Sequence, residues 1–240
     1  MSTSRGVPEI SDPLEPNPLE LGEFVRGLAH DIANPLNAMA MNAELTKVLL
    51  ERGDAAGARD VLQRLLADCA RCGRLVQSFQ RFGGALQSSP PELVSAATLL
   101  QDSITQMQGE LPDTGLEFHI DGATDTQLQL DVPACVRAFA GVLRNAAEAG
   151  ATTVNLHVAT QGDRAVITIS DNGGGIEARW LPRVSEPFFT TRRTNGASGL
   201  GLTLVQEIVR RHGGTLKIDS AQGQGTTLTV QLPQACSRQA

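Results

Sequence analysis

Two groups of residues in this sequence have the types and spacing that chemistry requires. The first is Leu28-Ala29-His30-Asp31-Ile32-Ala33-Asn34-Pro35-Leu36. At about 100° per residue, His30 lies about 200° from both Leu28 and Ile32, so a helix would turn its imidazole away from the apolar side. Asp31 follows directly, and Asn34 lies one helical turn further along the same face as His30. A neutral imidazole beside a carboxylate is a competent nucleophile, because the carboxylate orients the ring and accepts its proton. Pro35 cannot donate a backbone bond to the carbonyl of Asp31, which predicts a bend beside the histidine. Taken alone, His30 reads most simply as a surface histidine; its context must decide.

The second group is glycine-rich. Asp171-Asn172-Gly173-Gly174-Gly175-Ile176 follows a strand pattern, and Gly196, Gly199 and Gly201 precede a helical one. Glycines at a strand end or helix start let backbone come close to a ligand, and open N–H groups there favour phosphate. This is not a P-loop: the chain has two lysines, Lys47 and Lys217, and neither follows a glycine. Cys69-Ala70-Arg71-Cys72 is formally a C-x-x-C, but it lacks a thioredoxin-like context and further ligands at zinc spacing. Both cysteines fit an apolar helical stripe, so packing is their expected role. His119, His157 and His212 stand alone and read as structural.

These residues need elements to position them. Leu21, Val25, Leu28, Ile32, Leu36 and Met39 form one apolar stripe at helical spacing. Val61, Leu62, Leu65, Leu66, Cys69, Cys72, Leu75, Val76, Phe79 and Phe82 form a second, beyond the turn at Glu51-Arg52-Gly53-Asp54. Two such helices make an antiparallel hairpin that cannot cover both stripes alone. Pairing with a second copy into a four-helix bundle is the economical solution, so a homodimer is expected.

Gly83-Gly84 and Ser88-Ser89-Pro90-Pro91 then mark a linker. Helical patterns follow at Leu93–Gln108, Pro133–Ala149 and Leu200–His212. Strand patterns occupy Gly115–Asp121, Gln127–Leu130, Thr153–Ala159, Ala165–Ser170, Thr215–Ser220 and Thr226–Leu232. Helices beside hairpin strands spell an α+β sandwich. The expected division is a flexible, proline-bearing lead-in over 1–18, the helical hairpin over 19–84, a linker over 85–92, the α+β domain over 93–234 and a tail over 235–240.

Composition narrows the classes. The 240 residues are 41% hydrophobic and 19% charged, with a formal net charge of −6, which disfavours a general nucleic-acid surface. No apolar run approaches the roughly 18 residues of a membrane helix. The N-terminus lacks the apolar core of a signal peptide. Four cysteines are too few and too scattered for a disulfide scaffold. A cytoplasmic location is the expectation.

In order and content, these motifs resemble the transmitter module of a two-component sensor histidine kinase, most closely the nitrogen-sensor type. Residues 28–36 match that family's H box, and Leu143-Arg144-Asn145-Ala146-Ala147-Glu148-Ala149 its N box. Residues 171–176 match the first glycine box, Glu186-Pro187-Phe188-Phe189-Thr190-Thr191-Arg192 the F box, and Ser198-Gly199-Leu200-Gly201-Leu202 the second glycine box. Gly223-Gln224-Gly225-Thr226 matches the closing glycine turn.

The resemblance implies an ATP-binding sandwich of the gyrase, heat-shock chaperone and histidine kinase type, with ATP and Mg²⁺ as ligands. His30 would be the phosphoacceptor, Asp31 its base, and Asn34 would position water when phosphate is stripped from the partner. Asn145 would hold Mg²⁺ against the triphosphate. Asp171 would accept from the adenine amino group, with Gly173, Gly175 and Ile176 beside the ring. Phe188, Phe189 and the segment through Asn195 would form a lid, and Arg192 would meet the γ-phosphate. Gly199, Leu200, Gly201, Leu202 and Thr226 complete the nucleotide set. The implied partners are a second copy, the receiver domain of a response regulator and, for want of a recognisable sensory segment, a separate regulatory protein.

Four positions depart from the family pattern: Ala33, Gly141, Glu148 and Ala197. Gly141 also argues against a gyrase-like ATPase, which places a glutamate there as base for water. The remaining rival is a histidine phosphotransferase with a weak or silent ATP site.

Overall fold

The computed structural model describes residues 18–86, 89–187, 189–191 and 199–235. Its first two elements are long helices, α1 (Pro18–Glu51) and α2 (Ala55–Leu86). They are joined by a tight turn in which the Asp54 carboxylate accepts from Gly57 N–H at 2.9 Å and caps α2. α1 runs through Pro35 as one element. Ala58, Val61 and Leu75 are buried between the helices, while Asn42 donates to the Asp68 carboxylate across them at 3.2 Å. Cys69 is exposed with its sulfur 3.4 Å from that of Met39, and Cys72 is half-buried, so the C-x-x-C is a pair of free thiols.

The hairpin covers only part of its apolar surface. Leu36, Met41, Leu45, Leu50, Leu62 and Leu66 remain 44–73% exposed. A soluble helix pair seldom leaves so many large apolar side chains to water, and each would gain about 1.5–3 kcal/mol if fully covered.

After the hairpin, the chain forms β1 (Glu92–Ser95), α3 (Ala96–Glu110), β2 (Glu117–Gly122), β3 (Gln127–Leu130) and α4 (Val132–Glu148). Then come β4 (Thr153–Gln161), β5 (Arg164–Asp171), a 3₁₀ turn (Leu181–Arg183), α5 (Gly201–Arg211), β6 (Thr215–Ser220) and β7 (Thr226–Pro233). The main sheet has order β2-β4-β5-β7-β6, with β2 and β4 parallel and the other pairs antiparallel. β1 and β3 form a separate antiparallel pair. Leu99, Leu100 and Met107 of α3, Phe139 and Leu143 of α4, and Val205 and Ile208 of α5 bury against Val154, Leu156, Ile167, Leu228 and Val230 of the sheet. This is the expected α+β sandwich.

One element differs from the expectation. Residues 92–95 are a strand rather than the start of a helix from Leu93. Leu93 pairs with Gln129 and Val94 with Leu128, and the Ser95 hydroxyl accepts from Thr98 N–H at 3.1 Å to cap α3. Among the described residues, no helix is long and apolar enough to cross a membrane.

Asp131 is the joint of this domain. It is 6% exposed; one carboxylate oxygen caps α4 through Ala134 N–H at 3.0 Å, and the other accepts from Ser89 N–H of the linker at 2.7 Å. Its own N–H donates to His212 Nε2 at 2.9 Å, so His212 carries its proton on Nδ1, facing the Ile208 carbonyl at 2.7 Å. Asp131→Ala removes a cap and leaves the half-buried Ser89 N–H of the linker without its acceptor. It is expected to lower unfolding stability by about 2 kcal/mol, read from the midpoint of urea denaturation. The neighbouring Cys135 is inert at neutral pH, because burial first and the Asp131 charge second push its thiol up to about 12.

Candidate functional site

β5 ends at Asp171, flanked in register by Val154 of β4 and Thr226 of β7. At that edge the chain must turn sharply, and the glycine loop does so. Asp171 Oδ1 accepts from Gly173 N–H at 2.8 Å and from Thr226 N–H at 3.3 Å, which fixes the carboxylate. Asn172 faces away from the site: its carbonyl accepts from Thr152 and Thr153 N–H at 2.9 and 3.0 Å.

The β6–β7 turn braces the loop from the other side. Gly223 N–H donates to the Gly174 carbonyl at 2.8 Å, and Ile176 N–H to the Ser220 hydroxyl at 2.9 Å. Gly175 and Gly225 sit at φ +63° and +78°, where a Cβ would lie 2.0 Å from the Ala221 carbonyl oxygen and 1.9 Å from that of Asp171. Only glycine fits at these two crossings.

Across the opening stands α4. Val142, Asn145 and Ala149 recur at helical spacing on one face, and all three line the same cavity as Asp171. Next to them begins α5. Its cap position is Leu200, whose side chain makes no capping bond to the first amide groups of the helix. A Cβ on Gly201 would lie 3.4 Å from Asn145 Nδ2, which puts the start of α5 against the Asn145 amide.

The resulting cavity has a volume of about 570 Å³. A carboxylate and an apolar slot lie at one end, a side-chain amide and an open helix N-terminus at the other. An acceptor-bearing slot suits a flat heterocycle with an exocyclic amine, and the helix start suits phosphate.

Of the residues expected to bind nucleotide, Asn145, Asp171, Gly175, Ile176, Phe189, Gly199, Gly201, Leu202 and Thr226 line this cavity. Gly173 and Leu200 do not. Gly173 acts through its N–H on Asp171, and Leu200 is 3% exposed, packed into the core beneath α5. Phe188 and Arg192 lie outside the described residues, as does the remaining lid segment through residue 198. His30, Asp31 and Asn34 lie on α1; Asn34 is exposed, and the side chains of His30 and Asp31 lie outside the described residues.

Sequence reasoning did not name Trp180, Glu177 or Arg74, which also line the cavity, as do Thr190 and Thr191 of the F box. The Trp180 and Phe189 rings stand 5.5 Å apart, with the Arg179 and Arg183 guanidinium groups 4.7 and 4.6 Å from their respective centroids. Trp180 and Phe189 form part of one wall of the cavity. Val142 and Ala149 were legible from their spacing to Asn145; Trp180 and Arg74 carried no local signal. Among the described residues, no three His, Cys, Asp or Glu groups could hold a metal ion. A cation here would rest on the Asn145 amide oxygen and on ligand oxygens, a donor set that fits Mg²⁺.

Comparisons with known proteins agree with this geometry. Residues 130–235 match the model of the histidine kinase-, DNA gyrase B- and HSP90-like ATPases, and residues 20–83 that of the His Kinase A (phospho-acceptor) domain. The chain is 31% identical over 221 residues to the alginate biosynthesis sensor protein KinB of Pseudomonas aeruginosa, covering 88% of this chain and 36% of that one. It is 30% identical to the sensor histidine kinase ZraS of Salmonella typhi, covering 89% of this chain and 46% of that one. The chain thus spans between a third and a half of the length of these two relatives. Among solved structures, a mycobacterial sensor histidine kinase, MprB, superposes with a TM-score of 0.53 at 30% identity, over 60% of this chain and 97% of that one. Acinetobacter baumannii AdeS superposes with a TM-score of 0.59 at 16% identity, over 85% of this chain and 97% of that one, a likeness of fold.

Proposed function

Since this chain belongs to the sensor histidine kinases and carries their transmitter module, we propose that it is an ATP-dependent protein-histidine kinase acting in two-component signalling. It phosphorylates its own His30 and passes the phosphoryl group to an aspartate on the receiver domain of a response regulator. The observation that carries this reading is the cavity that joins Asp171 to Asn145 and the open start of α5.

In this reading Asp171 accepts from the adenine amino group, and Gly175, Ile176 and Thr226 shape the slot around the ring. The first amide groups of α5, reached through Gly199 and Gly201, face the phosphates. Asn145 holds Mg²⁺, which when bound supplies charge neutralisation at the triphosphate. A nitrogen lone pair of His30 attacks the γ-phosphorus in line. The N–P bond forms as the bond to the bridging oxygen breaks, ADP leaves with the electron pair, and Asp31 takes up the imidazole proton. Positioning and charge neutralisation do most of this work.

The receiver aspartate then takes the group from phosphohistidine, and Asn34 orients water when the kinase acts as a phosphatase. The exposed leucines of the hairpin support a homodimer in which two hairpins form a four-helix bundle. The H box sequence supports a nitrogen-sensor-like subtype acting in the cytoplasm.

Incubation with γ-labelled ATP and Mg²⁺ tests the reading. The expected product is a protein-bound label that is lost in acid and kept in base, as a phosphoramidate behaves. Acid-stable label, or none, overturns it.

A further inference from the structure

Resting on the reading of the cavity as an ATP site, we infer that Arg74, on the phosphotransfer hairpin, binds the γ-phosphate and makes the site prefer ATP over ADP. The first observation is charge. Among the described residues, the ionised side chains lining the cavity are Arg74, Arg144, Glu148, Asp171 and Glu177, the last of them paired with Arg179 at 2.8 Å. Arg144 is already engaged: its Nη1 lies 2.7 Å from the Glu110 carboxylate and its Nε 3.9 Å from that of Glu148. Among the described residues, Arg74 is then the lining cation that forms no ion pair. A triphosphate carries several negative charges, and a guanidinium offering several donors is a group that offsets them.

The second observation is placement. α2 packs along α4 and touches α5. Near the start of α4, the Arg137 guanidinium donates to the Gly84 carbonyl at 3.2 Å, and Gln77, Gln80, Gly84 and Arg137 line one groove. From Gly84 back to Arg74, α2 rises about 15 Å, and from Arg137 to Asn145, α4 rises about 12 Å. The two helices therefore run antiparallel in matching register. Arg74 arrives level with the last turn of α4, between Asn145 and Ala149, and lines the same cavity as Asn145 and the start of α5. A further side chain seats α2 there: Phe79 packs against the core of the α+β domain.

A cation brought by the hairpin meets the outermost phosphate when the two parts are docked. ADP lacks that phosphate. The same contact thus reports to the hairpin which nucleotide the α+β domain holds.

The test is calorimetric titration of the whole chain with the β,γ-imido analogue of ATP and with ADP, both in Mg²⁺. Arg74→Ala is expected to weaken the analogue about tenfold and ADP less than twofold, with Arg74→Lys recovering part of the difference. Equal weakening of both nucleotides, or an unchanged ratio, overturns the inference while leaving the ATP site intact. Failure of the wild type to bind either nucleotide overturns the reading of the cavity, and the inference with it.

Discussion

His30→Gln is expected to lower label incorporation from γ-labelled ATP by about three orders of magnitude or more, while nucleotide affinity stays within about twofold. Glutamine is close to histidine in size and polarity, but its amide nitrogen has no lone pair available for attack on phosphorus. His30 sits on α1, and the nucleotide cavity is built from the α+β domain together with Arg74 of α2, so the substitution removes the acceptor and leaves the donor site whole. The measurement pairs a filter assay for acid-labile label with a titration of ATP binding. Label that persists in the variant at wild-type level would place the acceptor elsewhere and remove His30 from the mechanism.

Asp171→Asn is expected to weaken ATP binding about a hundredfold with little change in folding. The side-chain carbonyl of asparagine can still accept from Gly173 and Thr226 N–H, the two bonds that now hold Oδ1. What changes is the other atom. A carboxylate oxygen that accepts from an exocyclic amine becomes an NH₂ group that opposes it, and a buried donor left facing a donor is costly. The same geometry makes the wild type reject GTP, which presents a carbonyl where ATP presents an amine. In the variant that discrimination shrinks. Competition titrations with both nucleotides, alongside a thermal melt, check both statements. Unchanged ATP affinity in a folded variant would show that Asp171 is a loop brace and nothing more.

The two predictions separate the halves of the proposed reaction. One abolishes transfer with binding kept, and the other abolishes binding with the acceptor kept. A variant losing both properties in either position would point to coupling between hairpin and sandwich stronger than the Arg74 contact alone supplies.

Much of this architecture is written in local pattern. Apolar residues at three and four spacing require helices at α1 and α2, because that spacing puts one stripe on one side of a 3.6-residue turn. Alternation from Thr153 and Ala165 likewise requires strands, with Gln161-Gly162-Asp163 between them. Asp171 followed by three glycines locates a sharp turn at a strand end, since other residues resist the backbone conformations it needs. In the same way, the order of the glycine clusters and of His30-Asp31 along the chain was enough to indicate the family.

Tertiary structure decided what spacing cannot carry. Leu93 and Val94 suit a helix as well as a strand, and pairing with Gln129 and Leu128 selected the strand. Gly173 and Gly175 are alike in sequence; the one donates to Asp171 and the other lines the cavity, because the β6–β7 turn and the end of α4 clamp the loop from opposite sides. Asn172 belongs to the same box, yet its bonds to Thr152 and Thr153 make it a brace. Arg74 and Trp180 reach the cavity only through the packing of α2 on α4 and the stacking beside Phe189. Local propensity acts over a few residues through backbone sterics and side-chain period. Whether residues 71 apart, such as Arg74 and Asn145, come to line one cavity depends on how whole elements seat against one another, and no local period records that.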